Sequence, residues 1–214
     1  MKMLILSNGD YGEPAWYRNQ ASGFSRIICA DGAAKMACKI GITPDLVVGD
    51  MDSIPADDCE RLTQEGSQFI VYPPEKDLTD TQIAYELARE EGASSVTVWG
   101  GVGSRLDHTL STICNAFSLV ECGIDVCFTS PVVSIHLVKG ARVLRGEVGD
   151  TVSLIVLTDE ACGVTLKGFR YPLVDATIEG RWQCCVSNVM TVNKALIEVA
   201  SGNVAVFHYH RLPD

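Results

Sequence analysis

No apolar run in this chain approaches the ~20 residues that a helix needs to span a bilayer, so no membrane association is expected. The opening Met1–Ser7 has too short an apolar core for a signal peptide and no small-residue cleavage site. It passes at once into the turn-like Asn8-Gly9-Asp10, and a cytoplasmic location is the expectation. An excess of cations is also missing. There are 17 Lys+Arg against 27 Asp+Glu, a formal net charge of −10, and a nucleic-acid binder draws its affinity largely from cationic contacts to phosphate. The same acidity would repel a bare nucleotide, so any bound phosphate should bring a divalent cation with it. The nine cysteines form no Cys-x-x-Cys pair, and the adjacent Cys184 and Cys185 are poorly placed to ligate one zinc together. Reduced, mostly buried thiols are expected. Internal repeats and low-complexity segments are absent too.

What is present is a chain of 214 residues, 47% hydrophobic and 21% charged, enough for one or two domains. Up to about residue 130, short apolar runs alternate with helical patterns. The expected strands are Met3–Ser7, Arg26–Ala30, Asp45–Val48, Gln68–Tyr72, Ser95–Trp99 and Asp125–Thr129. Several lack polar alternation, as strands do when helices cover both faces of a parallel sheet. Thr79-x-x-Gln82 forms a capping-box pattern ahead of Ile83, Ala84, Leu87 and Ala88. Leu106, Leu110, Ile113, Phe117 and Val120 recur at helical spacing, and Ala33–Ile40 marks a shorter helix stopped by Gly41. Beyond Pro131 the runs become short and strand-like, separated by Gly, Asp and Asn. They include Trp182–Val186, and Ala195–Ala200 with Val204–Tyr209 is read as a hairpin. The expected fold is an open, mostly parallel α/β sheet with flanking helices (1–130), followed by a smaller all-β sandwich domain (131–214).

In such a sheet, ligands bind beyond the carboxyl ends of the strands, and there almost every expected strand runs into Gly or Asp. Asp10, Asp31, Asp50, Asp52, Asp77, Asp80 and Asp107 would line that edge. Asp50 and Asp52, two residues apart in an extended segment, would point the same way and reach one cation; a plain turn with Ser53 capping the next helix explains the same residues. Asp80 in a first helical turn complements the helix dipole, but that leaves Lys76-Asp77 unexplained, and the pair suits a phosphate with its metal. Gly100, Gly101 and Gly103 would let backbone amides approach a phosphate, with Arg105 as a forked donor. The spacing matches neither a P-loop nor a dinucleotide fingerprint. Asp107 could be only a helix cap and His108 only a packed or solvated residue.

The combination Asp31-Gly32-Ala33-Ala34, Pro44 through Ser53, Lys76-Asp77-x-Thr79-Asp80 and Gly100-Gly101-x-Gly103-x-Arg105-Leu106-Asp107-His108 resembles the thiamine pyrophosphokinase family. Gly168–Leu173 and Ser187-Asn188 extend the resemblance into the second half. Ala33 stands where the family commonly has a second Gly, and Val189-Met190 lacks the acidic and aromatic residues that often follow Ser-Asn. The resemblance implies a catalytic α/β domain, a thiamine-binding β-sandwich, and a homodimer with active sites at the subunit interface. It implies transfer of the diphosphoryl group of ATP to the thiamine hydroxyl, with Mg2+. On that reading Asp50, Asp52 and Asp80 hold the metal, and Asp52, Asp77, Arg105 and Asp107 are catalytic. Asp31, Lys76, Gly100, Gly101, Gly103, Arg105 and His108 bind the nucleotide, and Tyr171, Ser187 and Asn188 bind thiamine. Tyr171 and Trp182 suit either stacking on the pyrimidine ring or the core. A diphosphokinase acting on another alcohol such as a hydroxymethylpterin, an Asp-nucleophile phosphatase, and a non-enzymatic sensor compete with this reading.

Overall fold

A computed structural model describes residues 1–210. The chain divides into two compact units, Met1–Ser130 and the stretch from Pro131 onward. The first contains β1 (Lys2–Leu6), α1 (Pro14–Arg18), β2 (Arg26–Ala30), α2 (Ala34–Ile40), β3 (Leu46–Gly49), α3 (Ala56–Gln64), β4 (Gln68–Val71), α4 (Asp80–Glu90), β5 (Ser95–Trp99), α5 (Leu106–Glu121) and β6 (Asp125–Thr129). Its strands are all parallel and lie in the order β6-β5-β1-β2-β3-β4. The apolar runs of β1 and β3 are buried almost throughout, as two helical layers require.

The chain's own signals set these elements. Thr79 caps α4 reciprocally with Gln82, its hydroxyl accepting from the Gln82 N–H. Gly41, at φ 78°, stops α2. The strand order reverses between β1 and β5, because β2–β4 build outward on one side of β1 while β5 and β6 build on the other. A crevice must open at the carboxyl end of that pair. Trp99, at the end of β5, is buried in an edge-to-face cluster with Tyr17 and Phe24, ring centroids 5.1 and 5.7 Å away.

Several expectations change here. Ser53 caps no helix; α3 begins after Pro55. Leu106 and Leu110, expected on the buried face of α5, are 71% and 59% exposed, and burial starts at Ile113. Of the nine thiols only Cys29 is buried, and Cys114, Cys122 and Cys184 are exposed. Among the described residues, no helix is long and apolar enough to cross a membrane.

The second unit contains β7 (Val133–Arg145), β8 (Thr151–Val156), β9 (Glu160–Lys167), β10 (Leu173–Glu179), β11 (Asn188–Val189) and β12 (Lys194–Tyr209). The expected hairpin at Ser201-Gly202-Asn203 is instead an irregularity within one long strand. β12 runs antiparallel to β7 from Lys194↔Arg145 to Tyr209↔Val133, with a register shift between Val199 and Val204. On its other edge the first half of β12 pairs with β9 and the second half with β8. The turn-forming residues thus bend a strand rather than reverse it, so one ribbon serves both halves of the β unit. Val199, Val204 and Val206 from β12 meet Leu154, Leu166 and Ile178 in its core. Trp182–Val186, expected as a strand, is irregular, and Trp182 is 74% exposed.

Gly202 makes the bend possible: its φ is 96° and an added Cβ would stand 2.5 Å from the Glu160 carbonyl. Gly66 has a similar φ of 100° but open space around it. Gly66→Ala should therefore cost only the backbone penalty, about 1 kcal/mol. Gly202→Ala should cost about 1–3 kcal/mol more, from crowding. Denaturant midpoints that fall equally in the two variants would contradict this assignment of the bend.

Candidate active site

The crevice at the β1–β5 reversal is a cavity of about 320 Å³ lined by the loops after β1, β2 and β5 and by the first turns of α4 and α5. Its back wall is built by close backbone approach. The Gly9 and Asp10 amides donate to the Gly100 and Val102 carbonyls at 2.8 and 3.1 Å. Tyr11 donates its hydroxyl to the carbonyls of Ser7 and Trp99, at 3.0 and 3.1 Å, bridging the ends of β1 and β5. Burial holds its phenol well above the usual range, so it stays a donor. The ring leaves no room for a side chain at Gly100, whose φ is 66°.

This corrects one expectation. Asp10 is not a free member of the acidic edge: its Oδ2 accepts from the Ser104 N–H at 2.6 Å and pins the glycine loop. Thr109 adds a second latch, accepting from the Gly103 N–H at 3.0 Å. Nothing in the spacing of Asn8-Gly9-Asp10-Tyr11 distinguishes the Asp10 latch from an ordinary turn, since its partner Ser104 lies 94 residues away.

Among the described residues of this unit, the carboxylates that converge are Asp31, Asp50 and Asp52, each with one oxygen within 4.8 Å of the others. Asp31 is 7% exposed and its Oδ1 is buried with no hydrogen-bond partner. The convergence does not come from an extended strand. Met51 sits at φ 65°, the Asp52 N–H donates back to Asp50 Oδ1 at 3.2 Å, and the Ser53 hydroxyl donates to Asp52 Oδ1 at 2.8 Å. Asp31 itself sits at φ 38°. Such left-handed positions are uncommon for residues other than glycine and cost of order 1–3 kcal/mol each. Gly49 lets them close, because an added Cβ would lie 2.7 Å from Asp31 Cβ and 3.2 Å from Asp80 Cγ. Hard carboxylate oxygens, one of them buried and unsatisfied, fit a divalent ion such as Mg2+.

Asp80, expected beside Asp50 and Asp52, faces Gly49 together with Asp31 and is ion-paired through Oδ1 with Lys76 Nζ at 3.1 Å. Burial pushes its carboxyl upward and Lys76 pulls it back, while Asp31 and Asp50 add to the rise. Lys76 also donates to the Pro73 carbonyl at 3.2 Å. Asp77 is exposed and outside the cavity lining. Gly100, Gly101, Gly103, Arg105 and His108 all line the cavity. The Arg105 guanidinium holds Asp107 at 2.6 Å and depresses its carboxyl below the usual range. His108 Nε2 lies 3.9 Å from the same oxygen, and Asp107 is a first-turn residue rather than the cap.

In the second unit, Asn188 is a buried clamp. Its Oδ1 accepts from the Tyr171 and Val189 amides at 3.0 and 2.9 Å, and its Nδ2 donates to the Tyr171 carbonyl at 2.8 Å. Ser187 holds φ 58°, its amide bonded to Ser153 Oγ at 2.9 Å. The Tyr171 ring is 63% exposed, which removes a core role for it.

Taken together, the fold and cavity define a class: a two-unit protein whose parallel sheet carries a site lined by carboxylates and a glycine loop at its topological reversal. Comparison with known proteins narrows the class. The family model described as thiamin pyrophosphokinase, catalytic domain, matches residues 17–128, and that described as thiamin pyrophosphokinase, vitamin B1 binding domain, matches 136–204. The thiamine pyrophosphokinase of Bacillus subtilis (strain 168) is 27% identical over 164 residues, covering 76% of this chain and 77% of that protein. A crystal structure of the Bacillus subtilis thiamine pyrophosphokinase matches with a TM-score of 0.86 at 22% identity, covering 99% of this chain and 100% of that one. The Geobacillus thermodenitrificans thiamin pyrophosphokinase matches with a TM-score of 0.82 at 23% identity, over 99% and 98% of the two chains. At these identities the two structures speak for the fold. The chain belongs to the thiamin pyrophosphokinase family.

Three converging carboxylates without an internal cation repel one another. Asp31→Asn should raise the Tm of the metal-free protein by about 2–4 °C, corresponding to about 1 kcal/mol, while abolishing the Tm rise that Mg2+ gives the native chain. An unchanged Mg2+ response in thermal melts would remove Asp31 from the site.

Proposed function

We propose that this protein is a thiamine diphosphokinase that transfers the diphosphoryl group of ATP to the thiamine hydroxyl, giving thiamine diphosphate and AMP. The carrying observation is family membership across both units, together with the carboxylate-lined cavity at the β1–β5 reversal. The thiamine hydroxyl oxygen forms its bond to the β-phosphorus as the bridge to the α-phosphate breaks; the electron pair leaves with AMP, and the hydroxyl proton is released to solvent.

Chemistry of this kind needs positioning and charge neutralisation more than a covalent intermediate. Asp31, Asp50 and Asp52 would hold Mg2+, which when bound supplies positive charge against the phosphate oxygens. Asp80 keeps Lys76 oriented, and Lys76 and Arg105 carry the cationic charge that meets the transferred group. Asp107 orients Arg105. Gly100, Gly101 and Gly103 form the phosphate-facing loop, latched by Asp10 and Thr109. His108 adds an imidazole to the wall. Asp77 is exposed on the loop before α4 and, like Asp50, Asp52 and Lys76, stands outside the cavity lining; unlike Asp50 and Asp52 it is not in the converging group, and we assign it no contact with the ion.

In the second unit, the exposed rings of Tyr171 and Trp182 support stacking on the pyrimidine. Ser187 and Asn188 fix the backbone that presents Tyr171, which makes them positioning residues. A homodimer with shared active sites is the assembly we favour. Leu106 and Leu110 support it, because they are exposed on the same helix turns whose other side chains line the cavity. Nine thiols without a disulfide fit a cytoplasmic location.

Purified protein with ATP, Mg2+ and thiamine should yield AMP and thiamine diphosphate in equal amounts. ADP or inorganic phosphate without AMP would refute the transfer. Asp52→Asn should lower kcat by about 100-fold or more without lowering Tm; full activity would remove Asp52 from the site.

A further inference from the structure

The β unit holds a second group of metal-ligating side chains that diphosphoryl transfer leaves unused. Three of the chain's four histidines, His136, His208 and His210, fall on or just after β7 and β12. The register pairs His208 with Ser134 and Val206 with His136. Alternation therefore gives these side chains one face, which Val206 shows to be the core face. His210, two residues on, brings its ring centroid to 4.7 Å from that of His208. The turn before β8 supplies a carboxylate: Asp150 Oδ2 accepts from the Glu147 amide at 2.9 Å and lies 2.7 Å from His208 Nε2. Gly146 permits this approach, since an added Cβ would stand 2.6 Å from Asp150 Oδ2 and 2.7 Å from the His208 ring.

Two observations point past a plain hydrogen-bonded pair. One ligand atom from each of Asp150, His208 and His210 lies within 4.8 Å of the others. His208 is 1% exposed, yet its Nδ1 has no hydrogen-bond partner, and neither has the buried Nδ1 of His136. Buried imidazole nitrogens are normally satisfied. Two imidazoles and a carboxylate, His208 on β12 with His210 just beyond it and Asp150 just before β8, form a donor set that selects zinc over magnesium, with a fourth position left for water.

We propose that Asp150, His208 and His210 form a zinc-type site that ties the carboxyl end of β12 to the turn before β8. Tetrahedral zinc, with bonds of about 2.0–2.1 Å, needs its ligand atoms about 3.3 Å apart, so binding opens the His208–Asp150 pair from its 2.7 Å separation. It also displaces the proton shared by His208 and Asp150, and metal affinity falls as the pH is lowered.

The test uses the full-length protein, stripped by a chelator, dialysed, and titrated with Zn2+ in millimolar Mg2+. Bound metal is read by equilibrium dialysis and Tm by fluorimetry. The expected result is about one Zn2+ per chain with a raised Tm. Affinity should drop at least tenfold in His210→Ala and in Asp150→Asn, and should be unchanged in Asp52→Asn. His210→Ala decides if Asp150→Asn fails to fold, because His210 is only half-buried and lies just beyond the strand. Binding that weakens in Asp52→Asn but not in His210→Ala assigns the ion to the carboxylate site and overturns the proposal. Absence of stoichiometric Zn2+ binding by the native chain overturns it equally.

Discussion

Three carboxylates, each with one oxygen within 4.8 Å of the others, are the constraint that organises the first unit. Like charges at that distance in a half-buried crevice oppose folding, and the surrounding structure has to hold them together. It does so through backbone that costs energy: Asp31 and Met51 both sit in the left-handed region. Strand order supplies the rest. Because β2 lies beside β1 and β3 beside β2, the carboxyl end of β2 delivers Asp31 to the crevice that the β1–β5 reversal opens, and the loop after β3 brings Asp50 and Asp52 up to Asp31. Strain and repulsion concentrated at one cavity are what a ligand-requiring site costs a stable scaffold.

Much of the first unit was legible because its signals are local. Arg26–Ala30, Ser95–Trp99 and Asp125–Thr129 are strands with the very bounds that their apolar runs suggest, and the Thr79–Gln82 capping box is formed. The acidic and glycine-rich loops were visible as a set. Their individual assignments were less so, since which carboxylates converge depends on left-handed turns at Asp31 and Met51 that composition does not reveal. Hence Asp31, expected at the nucleotide, stands with Asp50 and Asp52, and Asp80 sits beside Asp31 with its charge shared by Lys76. Asp10, expected only as one carboxylate of the acidic edge, also latches the glycine loop, because its partner Ser104 is distant in sequence and near only through the β1–β5 pairing.

The second unit was read less well, for a physical reason. Ser201-Gly202-Asn203 is good turn chemistry, and turn chemistry serves a reversal and a bend alike. What decides is whether the flanking halves find each other or a third strand, and here both find β7. Asn188 carries a similar lesson. Its side chain is consumed by the backbone of Tyr171 and Val189, so a residue suited to ligand recognition serves by fixing the loop that presents Tyr171.

The metal-site reading of the carboxylate group is tested most directly by anomalous diffraction from crystals grown with Mn2+ and a non-hydrolysable ATP analogue. The predicted result is a manganese peak ligated by Asp31, Asp50 and Asp52, with Lys76 still on Asp80. A peak seated instead on Asp77 and Asp80, or none in the β1–β5 crevice, would contradict it.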